Sequence, residues 1–178
     1  MKSFRVFIKS EKFVFTRARV SFWLFCLILI IGVYIEKKEF KTLNEIVKYT
    51  SISLIIFGVI NSFFRRQLKG KLKGNLIFNS DNITIIDKIY PLAEIKSIKI
   101  NLNDYKGQYI GSINPAIFLE NFSNGVNNEI IITLNTKEIL KIYFQRETEN
   151  EMISIHKFLR NYLDEGKLSR KNYDEITR

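Results

Sequence analysis

The sequence predicts a membrane α-helical hairpin followed by an α+β domain, in which an antiparallel β-sheet or barrel is capped by one C-terminal amphipathic helix. Three observations predict this fold class. Two sixteen-residue runs without a charged side chain lie within the first 64 residues. Short alternating segments typical of β-strands follow from residue 72 onward. A stretch with apolar residues at helical spacing comes last.

The first 19 residues are rich in basic and aromatic side chains. Such a mixture is compatible with a segment lying at the headgroup level of a membrane. It is equally compatible with a short hairpin that docks on the C-terminal domain. We therefore expect residues 1–19 to form a basic, aromatic segment, either cytoplasmic or interfacial.

The two apolar runs, residues 20–35 and 49–64, are predicted to span the membrane as a hairpin over residues 20–64, joined by a loop at 36–48. As a helix each run is about 24 Å long, somewhat less than a hydrocarbon core of about 30 Å. Cationic side chains at the edges compensate for such a shortfall. Insertion is favoured by about −5 kcal/mol for the first run and about −4 kcal/mol for the second, so the first span is the firmer prediction.

The distribution of charge gives the orientation. Residues 1–73 carry 15 Lys/Arg and 4 Asp/Glu, whereas residues 74–178 carry 13 and 14, within a net charge of +10. Lys and Arg are most frequent before the first run and after the second, which favours cytoplasmic locations for both. We expect a multi-pass protein of the cell (inner) membrane with both termini in the cytoplasm. Because the excess charge flanks the apolar runs and the folded module is neutral, no nucleic-acid partner is expected.

Residues 65–166 are predicted to form the cytoplasmic domain. Its strand patterns lie at residues 72–78, 83–87, 95–103, 130–134 and 139–144. A long connection, residues 104–128, leaves room for a further strand near 117–119. A helix over 148–165 presents Met152, Ile155, Leu159 and Tyr162 on one face and ends at Gly166, which is a typical C-terminal stop. Residues 167–178 form a polar tail.

Strands followed by a single helix, behind two apolar runs, resemble the bacterial pleckstrin-homology-like (PH-like) membrane proteins. The resemblance is closest to small two-span proteins of Bacteroidota whose function is uncharacterised. It rests on PLAEIKSIKINLNDYKGQ at 91–108, SNGVNNE at 123–129, IYFQ at 142–145 and the helix that follows. The resemblance implies a strongly bent, partly open sheet of seven strands. Only five strand patterns are visible, so two more lie within 104–128 or the fold departs from the family.

Five cations follow the second run within nine residues, and they are the candidate contact with anionic lipid: Arg65, Arg66, Lys69, Lys71 and Lys73. Near an anionic surface each contributes about 1 kcal/mol of attraction. The simpler interpretation is that these cations only enforce topology, and both roles are compatible.

The connection after the third strand pattern holds the candidate interaction loop, made of Asp104, Tyr105, Lys106, Asn124, Gly125, Asn127 and Asn128. Asp and Asn bond to nearby backbone amides, and Asn and Gly accept left-handed conformations. The alternative to a contact site is therefore a purely structural turn, which these residue types favour.

One histidine and one cysteine leave no parts for a disulfide framework, a Cys-based zinc site or a His cluster. Neither a Gly-rich phosphate loop nor a nucleophile elbow is present in the sequence. We expect no catalytic residue, metal or cofactor, and hence no enzyme. The leading hypothesis is an integral membrane protein whose PH-like domain is a binding or scaffolding module near the membrane surface. The alternative is a structural subunit that assembles through its hairpin. Expected partners are membrane lipids and a protein partner or second copy.

Overall fold

The computed structural model describes residues 2–12, 16–36, 41–111 and 120–177, leaving the side chains of 18, 33, 35, 36 and 41–44 outside the description. The chain divides into two units, which are described separately. The sheet unit comprises Met1–Glu11, Leu68–Gln108 and Ser123–Arg178. The helical unit comprises Lys12–Gln67 and Tyr109–Phe122.

The described elements run, in chain order, β1 (Ser3–Lys9), α1 (Arg17–Glu36), α2 (Lys41–Ser62), β2 (Gly70–Phe78), β3 (Asn82–Ile85), β4 (Lys88–Pro91), β5 (Ile95–Asn101), β6 (Lys106–Tyr109), β7 (Phe122–Asn124), β8 (Asn128–Leu134), β9 (Ile139–Phe144), α3 (His156–Asp164) and α4 (Arg170–Thr177). Single turns of 3₁₀ helix precede β5 and α3, at Leu92–Glu94 and Glu151–Ile155.

Seven strands form one antiparallel sheet in the order β4-β3-β2-β1-β9-β8-β5. The N-terminal strand β1 lies at its centre, pairing Phe4 with Leu76 of β2 and Val6 with Phe144 of β9. Strands β6 and β7 form a separate two-stranded sheet. The sequence of β1 explains its central position, because Phe4 and Val6 alternate with polar residues and are almost fully buried.

The core of the sheet unit lies on one face of the sheet, where α3 and α4 cover it. Phe4 packs edge-on against Phe78, with ring centroids 5.8 Å apart, and against Phe144 at 5.4 Å. Tyr162 of α3 joins this cluster, 6.4 Å from Phe78. Fully burying such a side chain contributes about 1.5–3 kcal/mol, so β1 is essential to the core.

The predicted fold class is wrong. The chain is mainly a seven-stranded antiparallel sheet with four helices in its described part and at most one candidate membrane span, rather than a two-span hairpin followed by a sheet under a single helix. Each of the five strand patterns coincides with a strand. The other two strands of the large sheet are β1 and β4, not segments of 104–128. The optional strand near 117–119 lies outside the described residues.

The predicted helix over 148–165 corresponds to the 3₁₀ segment Glu151–Ile155 and α3, and a second helix, α4, follows it. The helix α3 stops near Gly166, whose φ of +69° is the left-handed conformation expected at a helix end. The predicted polar tail forms α4, which buries Tyr173 and Ile176. These two residues are three positions apart, so they share one helix face although charged residues surround them in the sequence.

The helical unit contains α1 and α2, which pack closely where small residues meet. A Cβ atom added to Gly32 would lie 2.9 Å from a methyl carbon of Val47. The stretch Glu45–Ser62 of α2 is apolar enough and long enough to cross a membrane, whereas the apolar stretch of α1, Arg19–Gly32, is shorter. One span is therefore a candidate among the described residues. The prediction of two spans, over 20–35 and 49–64, is therefore wrong for the described residues, where only the stretch in α2 is both long enough and apolar enough.

Candidate interaction surfaces

The predicted lipid-contact cations divide between the two units, and all five are exposed. In the helical unit the Arg66 side chain donates its Nε–H to the carbonyl of Glu120, at 3.1 Å. The Arg66 backbone amide donates to the carbonyl of Phe122, at 2.8 Å. Arg65 forms a parallel bridge with the same Phe122. The end of the helical segment is thus fixed through the backbone while the Arg65 side chain is directed to solvent.

In the sheet unit, Lys69, Lys71 and Lys73 lie at the start of β2. The carbonyl of Lys69 accepts a hydrogen bond from the amide of Ser10, at 2.8 Å. Lys71 pairs with Ile8 of β1, a large apolar side chain that is itself exposed. The β-ladder therefore holds the backbone of this segment at one end of the central strands.

The candidate interaction loop is a buried hydrogen-bond network around Asp104, whose side chain is only 3% exposed. One carboxylate oxygen accepts from the amide of Asn127, at 3.0 Å, and from the side chain of Asn128, at 3.3 Å. The other accepts from the Ser123 hydroxyl, in a short contact, and from the Asn127 side chain, at 2.9 Å. The fully buried Asn128 also accepts from the amides of residues 103 and 104.

Gly125 closes this network where another residue would not fit. Its φ is +69°, and an added Cβ would lie 2.2 Å from the carbonyl oxygen of Arg146 and 2.6 Å from the amide nitrogen of Lys106. The amide of Arg146 donates to the Gly125 carbonyl, and the amide of Lys106 donates to the Arg146 carbonyl. The three segments that meet here are therefore in backbone contact.

The remaining loop residues have structural partners as well. The Lys106 ammonium pairs with Glu147 at 2.6 Å, the Tyr105 amide donates to Gln108, and the carbonyl of Asn124 accepts from Gln145. The structure thus brings all seven predicted loop residues together. It uses the carboxylate of Asp104 to hold the loop rather than presenting it to a ligand.

Arg146 is buried beside this network. Burial lowers the pKa of Arg146, while the carboxylates of Glu151 and Asp104 oppose that shift. The guanidinium donates to the carbonyl of Glu149, and its Nε has no partner among the described residues. Sequence reasoning did not single out Arg146, which directly follows the motif IYFQ, or Ser123, which is the first residue of the motif SNGVNNE.

A second cluster lies on the face of the sheet opposite the core, where its lysines are exposed and Tyr143, Glu129 and Asn101 are half-buried. The Lys9 ammonium lies 3.5 Å from the centroid of the Tyr143 ring, and Lys141 approaches the same ring at 5.4 Å. Lys141 also forms an ion pair with Glu129, at 2.7 Å, and Asn101 donates to that carboxylate at 2.7 Å.

Protonation equilibria in this second cluster follow from its geometry. The hydrogen bond from Lys9, supported by Lys141, lowers the pKa of Tyr143. The hydrogen bond from Lys141, followed by that from Asn101, lowers the pKa of Glu129, and Glu129 in turn raises the pKa of Lys141. The cluster is therefore a linked set of charges. The alternation in residues 139–144 could have indicated the pairing of Lys141 with Tyr143, but the partner strand carrying Lys9 was not predicted.

The helical unit carries an open groove of about 420 Å³ along α1 and α2. Its wall is apolar, formed by Val20, Leu24, Leu54 and Phe57. One end of the groove is polar. There the backbone amide of Arg17 donates to the side chain of Gln67, at 2.9 Å. The groove therefore has an apolar wall and a polar end.

No arrangement of catalytic type emerges from these contacts. The His156 ring contacts the Tyr173 hydroxyl, with 2.6 Å between Nε2 and Oη. Within the described ranges, no group of three or more His, Cys, Asp and Glu side chains is placed to hold a metal ion. The chain has no significant match among protein-family models, curated proteins or solved structures, so its similarity to the PH-like membrane proteins remains an expectation from the sequence.

Proposed function

We propose that the protein is a membrane-attached, non-enzymatic binding module. In this proposal the helical unit contacts the bilayer, and the sheet unit stands at the cytoplasmic surface, where it binds a partner. The observation that carries the proposal is the exposure of large apolar side chains along both long helices, far beyond the scattered exposure of a soluble surface.

The exposed side chains are numerous and large. Only 11% of the stretch Glu45–Ser62 is buried within the molecule. On α1 and α2 the side chains at least half exposed are Trp23, Leu27, Ile30, Tyr34, Ile46, Tyr49, Ile56 and Ile60. In water these surfaces would be costly, at about 25 cal/mol per Å² of apolar area, whereas in hydrocarbon they are favourable.

The sheet also constrains the attachment. Strand β1 precedes the helical segment and β2 follows it, yet the two strands pair from Ser3↔Ile77 to Lys9↔Gly70. Both flanks of the helical segment therefore lie on one side of any bilayer that the helices enter. The cations at Arg65, Arg66, Lys69 and Lys71 support a cytoplasmic, anionic surface as that side.

The experiment is membrane fractionation of the full chain, followed by extraction at alkaline pH. We expect the wild type to stay in the membrane pellet. The variant Ile56→Lys places a charge on the exposed side of α2 at a cost of about 2.5–3.5 kcal/mol in hydrocarbon, so part of it should appear in the soluble or extractable fraction.

The matched control is Ile153→Lys, which puts the same charge on an equally exposed isoleucine of the sheet unit. This control should fractionate as the wild type does. Complete alkaline extraction of the wild type, or identical behaviour of the two lysine variants, would contradict membrane attachment through α2.

A structural subunit that assembles through its helices remains the second candidate. The exposed apolar surface of α1 and α2 also suits a neighbouring helix. However, Gly58 and Asn61, two of the small or polar residues expected at such an interface, are buried within the helical unit itself. A complex of defined stoichiometry that persists in detergent and is lost in Ile56→Trp would favour assembly over simple attachment.

A further inference from the structure

The outer face of the sheet carries a row of cations that crosses four neighbouring strands. Lys99 of β5 pairs in register with Ile131 of β8, and Ile131 pairs with Lys141 of β9. Phe7 of β1 pairs with Tyr143, so Lys9, two residues further along β1, lies beside Lys141. We call these four residues (Lys9, Lys141, Ile131 and Lys99) the cationic row.

The ammonium groups of the cationic row are accessible and largely unneutralised. Lys9, Lys99 and Lys141 are all exposed, and Ile131 between them is half-buried. The carboxylate of Glu129 forms an ion pair with Lys141, and the more distant charge of Lys9 adds to the lowering of the pKa of Glu129. Among the described residues neither Lys9 nor Lys99 forms an ion pair. The row therefore offers excess positive charge interrupted by one apolar position.

We propose that the cationic row docks an acidic helical segment of a partner protein. Neighbouring strands are about 4.8 Å apart, so Lys9 and Lys99 are separated by about 14 Å. One small anion cannot reach both. An α-helix advances about 5.4 Å per turn, so a helix laid across the strands presents one side chain to each strand. A helix complementary to the row therefore carries acidic residues at positions i, i+4 and i+11 and an apolar residue at i+7, which faces Ile131.

Local chemistry favours a protein over other polyanions. The ring of Tyr143 is covered by the Lys9 ammonium, 3.5 Å from its centroid, so it cannot serve as a stacking platform for a nucleobase. Ile131, in contrast, matches an apolar side chain on a helix. This inference rests on the proposed binding function, and it adds the chemical class of the partner, an acidic helix.

The test uses the full chain in nanodiscs of zwitterionic phosphatidylcholine, which removes attraction to anionic lipid. The probe is a fluorescent synthetic helix with Glu at i, i+4 and i+11 and Leu at i+7, and binding is read from anisotropy. A peptide of identical composition, with these four residues spread around the helix, is the control probe. We expect the patterned peptide to bind more tightly, and its affinity to fall in about 1 M salt, where the screening length is about 3 Å.

The key variant is Lys9→Glu/Lys99→Glu/Lys141→Glu. Each exposed ion pair accounts for about 1.4- to 5-fold in affinity, so losing three pairs should weaken binding about 3- to 125-fold, and the repulsion introduced by the charge reversal adds to that loss. The matched variant Lys88→Glu/Lys157→Glu/Lys171→Glu makes the same change in net charge at exposed lysines away from the row. It should change binding less than about 2-fold. The triple Lys→Gln variant of the row removes the positive charges without introducing repulsion, and it serves as a check in case the Glu variant misfolds. Its affinity for the peptide should lie between the affinities of the other two variants.

Several outcomes overturn the proposal. These are the absence of peptide binding by the wild type, equal binding of the two peptides, and equal loss in the row variant and the matched variant. Tighter binding of vesicles rich in phosphatidylglycerol or of a single-stranded oligonucleotide through the same lysines would also overturn it. Membrane fractionation distinguishes failure of this proposal from failure of the proposed function. If the row variant loses peptide binding but stays in the membrane, the result bears on the cationic row alone. If the wild type itself leaves the membrane, the result bears on the proposed function alone.

Discussion

The Lys9 ammonium lies over the ring of Tyr143, 3.5 Å from its centroid. This contact joins β1, the first strand in the sequence, to β9, the last. The phenol hydroxyl is flanked by this ammonium and by Lys141, which lowers the pKa of Tyr143 from its usual value of about 10. The phenolate is stabilised because both neighbours are positively charged.

The ionisation of Tyr143 can be measured directly. The difference in phenolate absorbance between the wild type and Tyr143→Phe should reveal one tyrosine that ionises at lower pH than an ordinary tyrosine. Lys9→Gln should raise the pKa of Tyr143 more than Lys141→Gln does, because the hydrogen bond with Lys9 is the largest cause of the shift. An unchanged titration in Lys9→Gln would contradict the arrangement of these side chains.

The buried carboxylate of Asp104 predicts a large loss of stability on substitution. Asp104→Asn replaces an acceptor with an amide group that faces the donors of Ser123, Asn127 and Asn128. Leaving buried polar groups unsatisfied costs about 1–3 kcal/mol each, so we expect the free energy of unfolding to fall by about 2–4 kcal/mol. Denaturant unfolding measures this change. The exposed Asp87→Asn is the control and should change stability by less than about 0.5 kcal/mol.

Two glycines with the same φ distinguish conformational strain from a steric clash. Gly125 and Gly166 both have φ +69°, but an added Cβ meets backbone atoms only at Gly125. Gly166→Ala should lower the free energy of unfolding by about 1–2 kcal/mol, because alanine must adopt the left-handed conformation there. Gly125→Ala should cost clearly more, because the backbones of Arg146 and Lys106 would have to move. Equal losses of thermal stability in the two variants would mean that the three segments are not in contact at Gly125.

The amide of Asn172 protects the edge of the sheet. It accepts from the amide of Ile100 at 2.8 Å and donates to the carbonyl of Ile100 at 2.7 Å, so α4 takes the place of a missing strand beside β5. Asn172→Ala leaves both backbone groups without these partners and should lower the free energy of unfolding by about 2–4 kcal/mol. Because an uncovered edge strand pairs with other chains, this variant should also aggregate more readily on heating.

The control for the edge contact is Asn161→Ala, which removes an exposed hydrogen bond from the Asn161 side chain to the carbonyl of Ser80. We expect it to cost less than about 1 kcal/mol and to leave aggregation unchanged. If the Asn172 and Asn161 variants aggregate alike, α4 does not protect the edge.

The strand patterns were predictable from the sequence because some alternate cleanly, as at Ile95–Asn101, and turn-forming residues separate others, as at residues 79–82. Strand β1 was not predicted as such, because its basic and aromatic residues also suit a membrane surface and its partners are distant in the sequence. Strand β4 is short and ends at Pro91, so it gives little alternation. Helix α4 was hidden because Tyr173 and Ile176 are the only apolar residues among charged ones.

For the candidate sites, the residue types of Asp104, Asn127 and Asn128 favour structured turns, and the structure places all three in one hydrogen-bond network. The sequence did not indicate the cationic row, because Lys9, Lys99 and Lys141 become neighbours only through strand pairing. Hydrophobic pattern and turn geometry set the register within a hairpin, but they do not say which distant strands pair, as β1 and β9 do.

The central claim, that the helical unit contacts the bilayer, is tested most directly by Trp23. It is the single tryptophan of the chain, and it is 68% exposed on α1. In vesicles made with lipids brominated on their acyl chains, we expect the fluorescence of Trp23 to be strongly quenched. A single tryptophan moved to the sheet unit, in the variant Trp23→Phe/Ile153→Trp, should not be quenched. Unquenched, water-like emission from Trp23, or equal quenching of both tryptophans, would contradict the account.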